Sequence, residues 1–290
     1  MIPWAQLIRL PNIFTAPADV IAGAALAGCL TDHPTDIKHL FGNILASICL
    51  YAAGMIMNDL VDFEIDAWDR PERPLPSRKI EKLHALAVML ALIVIGSYLA
   101  TNSLIVLTLS LMIIAYNLVL KSSFLGPLAM GGCRGFNLLL GACDLVQTSG
   151  LVWWGFWNVT VYITGVTLLA KDEVVASQKK SILLGIIMMM MGISSVFIMT
   201  FMNYQSTEGL HLILVMTLLA VMTIHLLSQF LLPAYKTPNA KRVQLAVKAG
   251  IMCLVLMEAF HSMVGIGYSG IYVALLLIPA LFLGRYIYST

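Results

Sequence analysis

The sequence predicts an all-α protein, a polytopic membrane bundle of nine or ten transmembrane helices, on three observations. Hydrophobic residues make up 60% of the 290 positions and charged residues only 11%. Apolar runs near twenty residues recur along the whole chain, and roughly 20 such residues carry a helix across a hydrocarbon core of about 30 Å. Lys and Arg gather in alternate loops, the pattern left when short cytoplasmic loops retain positive charge during insertion. The loops expected on the other side are short, so little of the chain can fold outside the bilayer, and residues 1–290 read as a single transmembrane domain.

Spans are expected near 12–30, 39–57, 83–100, 103–120, 127–146, 152–170, 181–201, 209–232, 246–267 and 271–287. Pro17 and Asp19 interrupt the first and Glu258 and His261 sit in the ninth, which is why the count is nine or ten. With ten spans and an inside N-terminus, only Lys38 of the 17 Lys and Arg falls in an outside loop and only Arg134 lies well within a span, Lys248 and Arg285 standing at the inside ends of the ninth and tenth as topological charges. That register makes both termini cytoplasmic, as in a multi-pass protein of the cell inner membrane. The start lacks the ordered basic, apolar and small-residue segments of a cleavable signal peptide, so the first span is expected to be retained. Met188–Met191 read as packing against lipid or neighbouring helices, and Trp153, Trp154 and Trp157 as an interfacial belt. The five Cys (Cys29, Cys49, Cys133, Cys143, Cys253) have neither metal-ligand nor paired spacing and read as reduced packing residues. The net charge of +2 reflects topology and gives no footprint for nucleic acid. Oligomeric state leaves no mark in the sequence.

The chemistry is concentrated where the second span ends, in Asn58-Asp59-Leu-Val-Asp62-Phe-Glu64-Ile-Asp66. If the helix continues through this run, Asn58, Asp62 and Asp66 fall at i, i+4 and i+8, with Asp59 one turn before Asp62. Carboxylates this close repel one another unless a cation sits among them, and Mg²⁺ prefers such oxygens, completed by water and substrate phosphates. Arg70 and Arg73 follow at once. A metal site beside a diphosphate clamp accounts for both signs together, with Arg covering phosphate oxygens that the metal leaves exposed. A solvated helix end is the competing reading, but such ends mix Lys, Ser and Gln rather than placing Asp59, Asp62, Glu64, Asp66 and Asp69 within eleven positions. The following Arg-Pro-Glu-Arg-Pro-Leu-Pro-Ser segment (70–77) is expected to be extended and to form a lid over a cytoplasmic pocket.

These residues resemble a family. Asn58-Asp59-x-x-Asp62-x-x-x-Asp66, the Arg-Pro-x-Arg-Pro-Leu-Pro-Ser loop and the opening Arg9-Leu-Pro-Asn12 look like the UbiA superfamily of intramembrane prenyltransferases. Cys133-Arg134-Gly135 and residues 246–287 look similar to its EboC-like subgroup. The resemblance implies a helical bundle around a lipid-accessible cavity, in which Mg²⁺ holds a prenyl diphosphate between two acidic motifs on the cytoplasmic side. Asn58, Asp59, Asp62 and Asp66 would form the first metal set, with Asp62 and Asp66 catalytic. Family members commonly carry a run such as Lys-Asp-x-x-Asp-x-x-x-Asp as the second motif. Here Lys171-Asp172-Glu173 continues with Val175 and Lys179 where the later carboxylates belong. Asp172 and Glu173 are adjacent and about 100° apart around a helix, so either they serve one Mg²⁺, with Asp172 catalytic, or the second site is weakened.

Further candidates surround this motif. Arg73 and Lys121 would contact diphosphate, and Lys171 either does so or anchors a helix end. Arg9 and Asn12 fit the family's first motif as diphosphate-binding residues, or serve as a positive-inside anchor and a helix cap. Arg134 within the fifth span needs a partner or a polar cavity: it lies near the phosphate, pairs with an acidic motif or snorkels to the surface. Tyr116 offers a π face to an allylic cation, or an interfacial anchor. Glu258 with His261 at i+3 is a secondary candidate for proton transfer.

The expected reaction moves a prenyl group from an allylic polyprenyl diphosphate to a lipid-soluble or aromatic acceptor, a hydrophobic partner met among the membrane lipids. A terpene cyclase is the alternative within catalysis. A non-catalytic prenyl-lipid binding or transport protein with a degraded second motif is the alternative outside it.

Overall fold

The computed structural model describes residues 2–31, 37–142, 150–171, 179–203 and 207–287. Among these every regular element is helical: α1 (Ile2–Leu7), α2 (Leu10–Ile13), α3 (Thr15–Leu26), α4 (Ile37–Val61), α5 (Phe63–Asp69), α6 (Lys82–Leu99), α7 (Ser103–Ala115), a π turn (Tyr116–Leu120), α8 (Gly126–Leu139), α9 (Gly150–Lys171), α10 (Lys179–Asn203), α11 (Thr207–Lys236), α12 (Ala240–Ile266), a 3₁₀ segment (Gly267–Leu276) and α13 (Leu277–Leu283). Neighbours in sequence pack as antiparallel pairs, and α12 returns to lie against α3 and α9, which closes the bundle.

Six helical runs among the described residues are long and apolar enough to cross a membrane: Lys38–Val61, Lys82–Leu99, Ser103–Leu120, Lys179–Asn203, Gly209–Lys236 and Ala240–Leu283. The expected ninth and tenth spans together form the last of these. It is broken at Gly267, whose φ of 66° only glycine adopts readily, and the 3₁₀ segment folds back so that Gly270 lies on the backbone of Met263. The stretches expected at 12–30 and 127–146 carry the shorter helices α3 and α8, of 12 and 14 residues, nearly every residue of which is buried. Their apolar surface is spent on the interior of the bundle. α9 has the length of a span but carries Trp153, Trp154, Trp157, Asn158 and Thr160.

Close backbone approach organises the centre. A Cβ placed on Gly23 of α3 would stand 1.9 Å from the Leu138 carbonyl oxygen, and one on Gly141, just after α8, 1.9 Å from that of Val20. α9 is tied to α12 by Tyr162, fully buried, whose hydroxyl donates to the Gly250 carbonyl at 2.8 Å. Tyr162→Phe is expected to cost about 1 kcal/mol, the net worth of one such bond, read as a lowered thermal midpoint with no change in helical content. At the end of the bundle where α4 begins, Asn43 brackets Thr101, accepting from its amide at 2.9 Å and donating to its hydroxyl at 2.9 Å.

The cysteines depart from expectation. Cys29, in the turn after α3 at this same end, is disulfide-bonded, whereas Cys49, Cys133 and Cys253 are free; Cys143 lies outside the described residues. Pairing across a bundle depends on which helix ends meet in space, which sequence spacing does not report.

Candidate functional site

The acidic stripe survives the end of its helix. Asp62 leaves the α region only slightly (φ −81°, ψ 3°) and separates α4 from α5. Its amide still donates to the Asn58 carbonyl at 3.0 Å, and the Asp62 carbonyl accepts from the Asp66 amide at 2.8 Å. The i, i+4 pattern therefore runs through the junction and keeps Asn58, Asp62 and Asp66 on one face. Asn58, Asp59 and Asp66 are buried, which acidic groups tolerate only when compensated.

Compensation comes from three separate segments. Arg73 places Nη1 2.6 Å from Asp66 Oδ2 and 3.7 Å from Asp59 Oδ1. Arg9 places Nη2 3.6 Å from the same Asp59 oxygen. Lys121 pairs with Asp62 Oδ2, and its Nζ donates to Asn58 Oδ1 at 3.1 Å. Each cation is delivered by irregular backbone. Arg9 has left-handed φ, 50°, between α1 and α2. Lys121 follows the π turn, its amide donating to the Tyr116 carbonyl five residues back, a widening of the helix that re-aims the residues after it.

Arg73 sits in the proline segment, which is not extended. It winds into consecutive turns, with the Arg73 amide donating to Arg70 O at 3.1 Å and the Ser77 hydroxyl to Arg73 O at 2.7 Å. The φ that Pro imposes suits the second position of a turn as well as an extended chain, and Leu75 and Ile80 decide between them by burying against Leu7, Ile56 and Met57. The segment is anchored to the bundle through these side chains.

Above the stripe lies a cavity of about 260 Å³. Arg9, Arg70, Arg73, Arg134 and Lys248 line it, with Asn12, Thr15, Asn58 and Tyr116, and the far wall carries Thr167, Ala170 and Gln244. A second pocket, about 70 Å³, is apolar and lined by Leu50, Gly54, Leu109, Ile113 and Cys133. Tyr51, Met55, Tyr116, Met130 and Arg134 line both, so the basic chamber and the apolar pocket share a wall.

A model of the UbiA prenyltransferase family matches residues 20–290. The chain belongs to this family. Among curated UbiA-type relatives it is 28% identical over 166 residues to the digeranylgeranylglyceryl phosphate synthase of Methanothermobacter thermautotrophicus, covering 54% of this chain and 56% of that protein. To the protein of the same name from Methanosarcina barkeri it is 34% identical over 154 residues, 48% of this chain and 53% of the other. The chain thus spans about half the length of the curated relatives it matches. In structure it is similar to a UbiA homologue from Archaeoglobus fulgidus bound to GPP and Mg²⁺, with TM-score 0.64, 11% identity, and 94% and 99% of the two chains covered. A UbiA homologue from Aeropyrum pernix K1 aligns with TM-score 0.63 and 16% identity over 94% of this chain and 98% of that one. At these identities the likeness establishes the UbiA fold.

In this UbiA-family chain the fold gathers Arg9, Asn12, Asn58, Arg73, Tyr116 and Arg134 around one chamber, with Asp59 and Asp66 joined to that set by ion pairs and the Asp62–Lys121 pair joined by the hydrogen bond from Lys121 to Asn58. Lys171, at the end of α9 beyond the cavity-lining Ala170, donates to the Ser123 carbonyl. Asp172 and Glu173 lie outside the described residues. Among the described residues, no three of His, Cys, Asp and Glu converge as a ready metal cluster. Arg134 finds its partner in Asp19 of α3, outside both acidic segments, with Nη2 3.0 Å from Oδ1. His261 Nδ1 and Glu258 Oε2 stand 3.1 Å apart, fully buried and lining neither of these two cavities, so this pair ties one turn of α12.

Sequence reasoning missed Tyr51, Gln244 and Lys248 as cavity residues. Tyr51 lies seven residues before Asn58, two turns along the same face of α4, and that spacing was a usable signal. Gln244 and Lys248 form a polar i, i+4 pair on α12. Lys248 was counted only as a topological charge.

Proposed function

We propose that this chain transfers a prenyl group from an allylic polyprenyl diphosphate to a lipid-soluble or aromatic acceptor at the cytoplasmic face of the cell inner membrane. The observation that carries the reading is a basic chamber beside an acidic stripe, sharing a wall with an apolar pocket. A prenyl diphosphate has this division of character: a multiply charged head, a reactive carbon next to it and an apolar tail. The head fits among Arg9, Arg70 and Arg73, the tail begins in the apolar pocket, and the allylic carbon falls where Tyr51 and Tyr116 line both.

Mg²⁺ fits the residues present. Asn58, Asp59, Asp62 and Asp66 offer hard oxygen ligands, and Asp59 Oδ1 is buried without a hydrogen bond, met by the guanidiniums of Arg9 and Arg73 at 3.6 and 3.7 Å, which leaves its lone pairs suited to a cation. A fold neighbour whose structure holds GPP and Mg²⁺ supports the same reading. When bound, the metal supplies positive charge to the departing diphosphate. Asp172 and Glu173 belong to the proposed set as its second acidic segment, with Asp172 catalytic and Lys171 beside it. Arg73 and Lys121 pair with the carboxylates and carry further donors for the phosphate oxygens, while Tyr51 and Tyr116 offer ring faces to the positive allylic carbon. Lys121→Met is expected to weaken prenyl-diphosphate binding about tenfold, the loss of one charged hydrogen bond, in equilibrium binding with labelled geranylgeranyl diphosphate.

The orientation is supported by the Lys and Arg pattern and by the Cys29 disulfide at the end of the bundle opposite the stripe, since disulfides persist in oxidising compartments. The names of the curated relatives make a prenylated glyceryl phosphate the first acceptor to try. The deciding experiment incubates purified protein with Mg²⁺ and prenyl diphosphates of several lengths and measures diphosphate release with and without membrane lipid extract. Release that requires extract supports transfer. Release without extract and with a cyclised hydrocarbon makes the protein a cyclase, and binding without release makes it a carrier.

A further inference from the structure

Arg134 lines the chamber but finds its ion pair outside the stripe, in Asp19. It is only 9% exposed, and its two hydrogen bonds both leave from Nη2, to Asp19 Oδ1 at 3.0 Å and to the Thr15 carbonyl at 2.9 Å. Nε is buried with no partner. The other oxygen of Asp19, Oδ2, accepts from Asn137 Nδ2 at 2.8 Å, and Asn137 also donates to the Ala16 carbonyl at 3.0 Å. Asp19 is fully buried, so both of its oxygens are spent on fixing α8 against α3. Such a pair is expensive to bury and is strongly destabilised when one partner is lost. Its yield is a guanidinium locked in place, with donors to spare, on the wall common to both chambers.

We infer that Asp19 is a positioning residue that holds Arg134 for the acceptor, and that the acceptor presents a hydrogen-bond-accepting oxygen, anionic or strongly polarised, to Arg134 beside the attacked carbon. The inference rests on the transfer reading above. The diphosphate is already supplied with Arg9, Arg70 and Arg73, which line the larger chamber and not the apolar pocket. The shared wall is where tail and head must meet, and therefore where a nucleophile must approach. A bare guanidinium there would oppose the positive charge that develops on the allylic carbon. Paired with Asp19 it adds no net charge and retains its capacity to orient an oxygen. Asp19 thereby acts on the acceptor without touching it.

The test uses the purified full-length protein with Mg²⁺, geranylgeranyl diphosphate and graded amounts of total membrane lipid extract. Two quantities are read: the dissociation constant for the diphosphate, and the extract concentration giving half-maximal diphosphate release. Asp19→Asn keeps shape and an accepting oxygen but removes the charge, whereas Arg134→Lys keeps the charge and removes the planar fork with most of its spare donors. Both variants are expected to bind the diphosphate within about twofold of the parent while needing about tenfold more extract, a KM effect with little change in maximal rate. A tenfold loss of diphosphate binding would assign Arg134 to the leaving group and overturn the inference. An unchanged extract requirement in Arg134→Lys would overturn it as well, whether or not Asp19→Asn folds. If the unsubstituted protein shows no extract-dependent release, the transfer reading fails first and this inference with it, an outcome visible before any variant is made.

Discussion

Asp62→Asn is expected to reduce diphosphate release by at least about 10²-fold while leaving the protein folded, since a charge that stabilises the leaving group is removed at the centre of the stripe. The substitution conserves shape, and the backbone bonds that carry the helix through residue 62 do not involve the side chain. What the resting protein loses is the ion pair with Lys121, whose side chains are 33% and 20% exposed for Lys121 and Asp62; pairs of this kind contribute about 0–1 kcal/mol. The thermal midpoint should therefore barely move. Glu81→Gln is the matched control, because the Glu81–His84 pair at the start of α6 is mostly exposed and lines neither cavity. It removes one carboxylate and should leave release unchanged. Undiminished turnover in Asp62→Asn would remove the stripe from the reaction.

What the sequence made legible was local. Four oxygen-bearing residues at helical spacing can be placed on one face without knowing what the helix packs against, and the alternation of basic loops orders the spans without any tertiary information. Arg73 was readable for the same reason, since it follows its carboxylates within a few residues. The partners that were not legible are those joined only by the fold. Asp19 and Arg134 are 115 residues apart, and each alone in an apolar run suggests a defect in a span; together they are a neutral link between two helices. Lys248 looked like a topological charge because α12 reaches the chamber only by folding back against α3 and α9. Leu75 shows the converse error. Three prolines imply an extended loop when counted by φ alone, yet one buried leucine supplies enough contact to wind that loop onto the bundle.

The second large effect is expected at a residue with no side chain. Gly141→Ala should lower stability by about 3 kcal/mol or more and weaken diphosphate-dependent turnover with it, the upper range for forcing extra volume into a packed core. The new Cβ would meet the Val20 carbonyl oxygen at 1.9 Å and the Ala24 amide nitrogen at 2.8 Å. Both are backbone atoms, so no rotamer change can relieve the contact and α3 must move away from the end of α8. Asn137 lies one turn before Gly141, and its bond to Asp19 at 2.8 Å spans the gap that would open. The same displacement that strains the crossing therefore loosens the tie that fixes Arg134. Gly150→Ala is the control, since a Cβ there meets nothing within 4 Å and should leave both the thermal midpoint and turnover unchanged. Gly23→Ala presses on the same crossing from the other side, where its Cβ would stand 1.9 Å from the Leu138 oxygen. Once one substitution has separated the helices, the second finds room already made, so the double variant should lose less than the two single losses together. Strict additivity in thermal denaturation would mean that the two glycines relieve separate contacts and that α3 and α8 do not move as rigid neighbours.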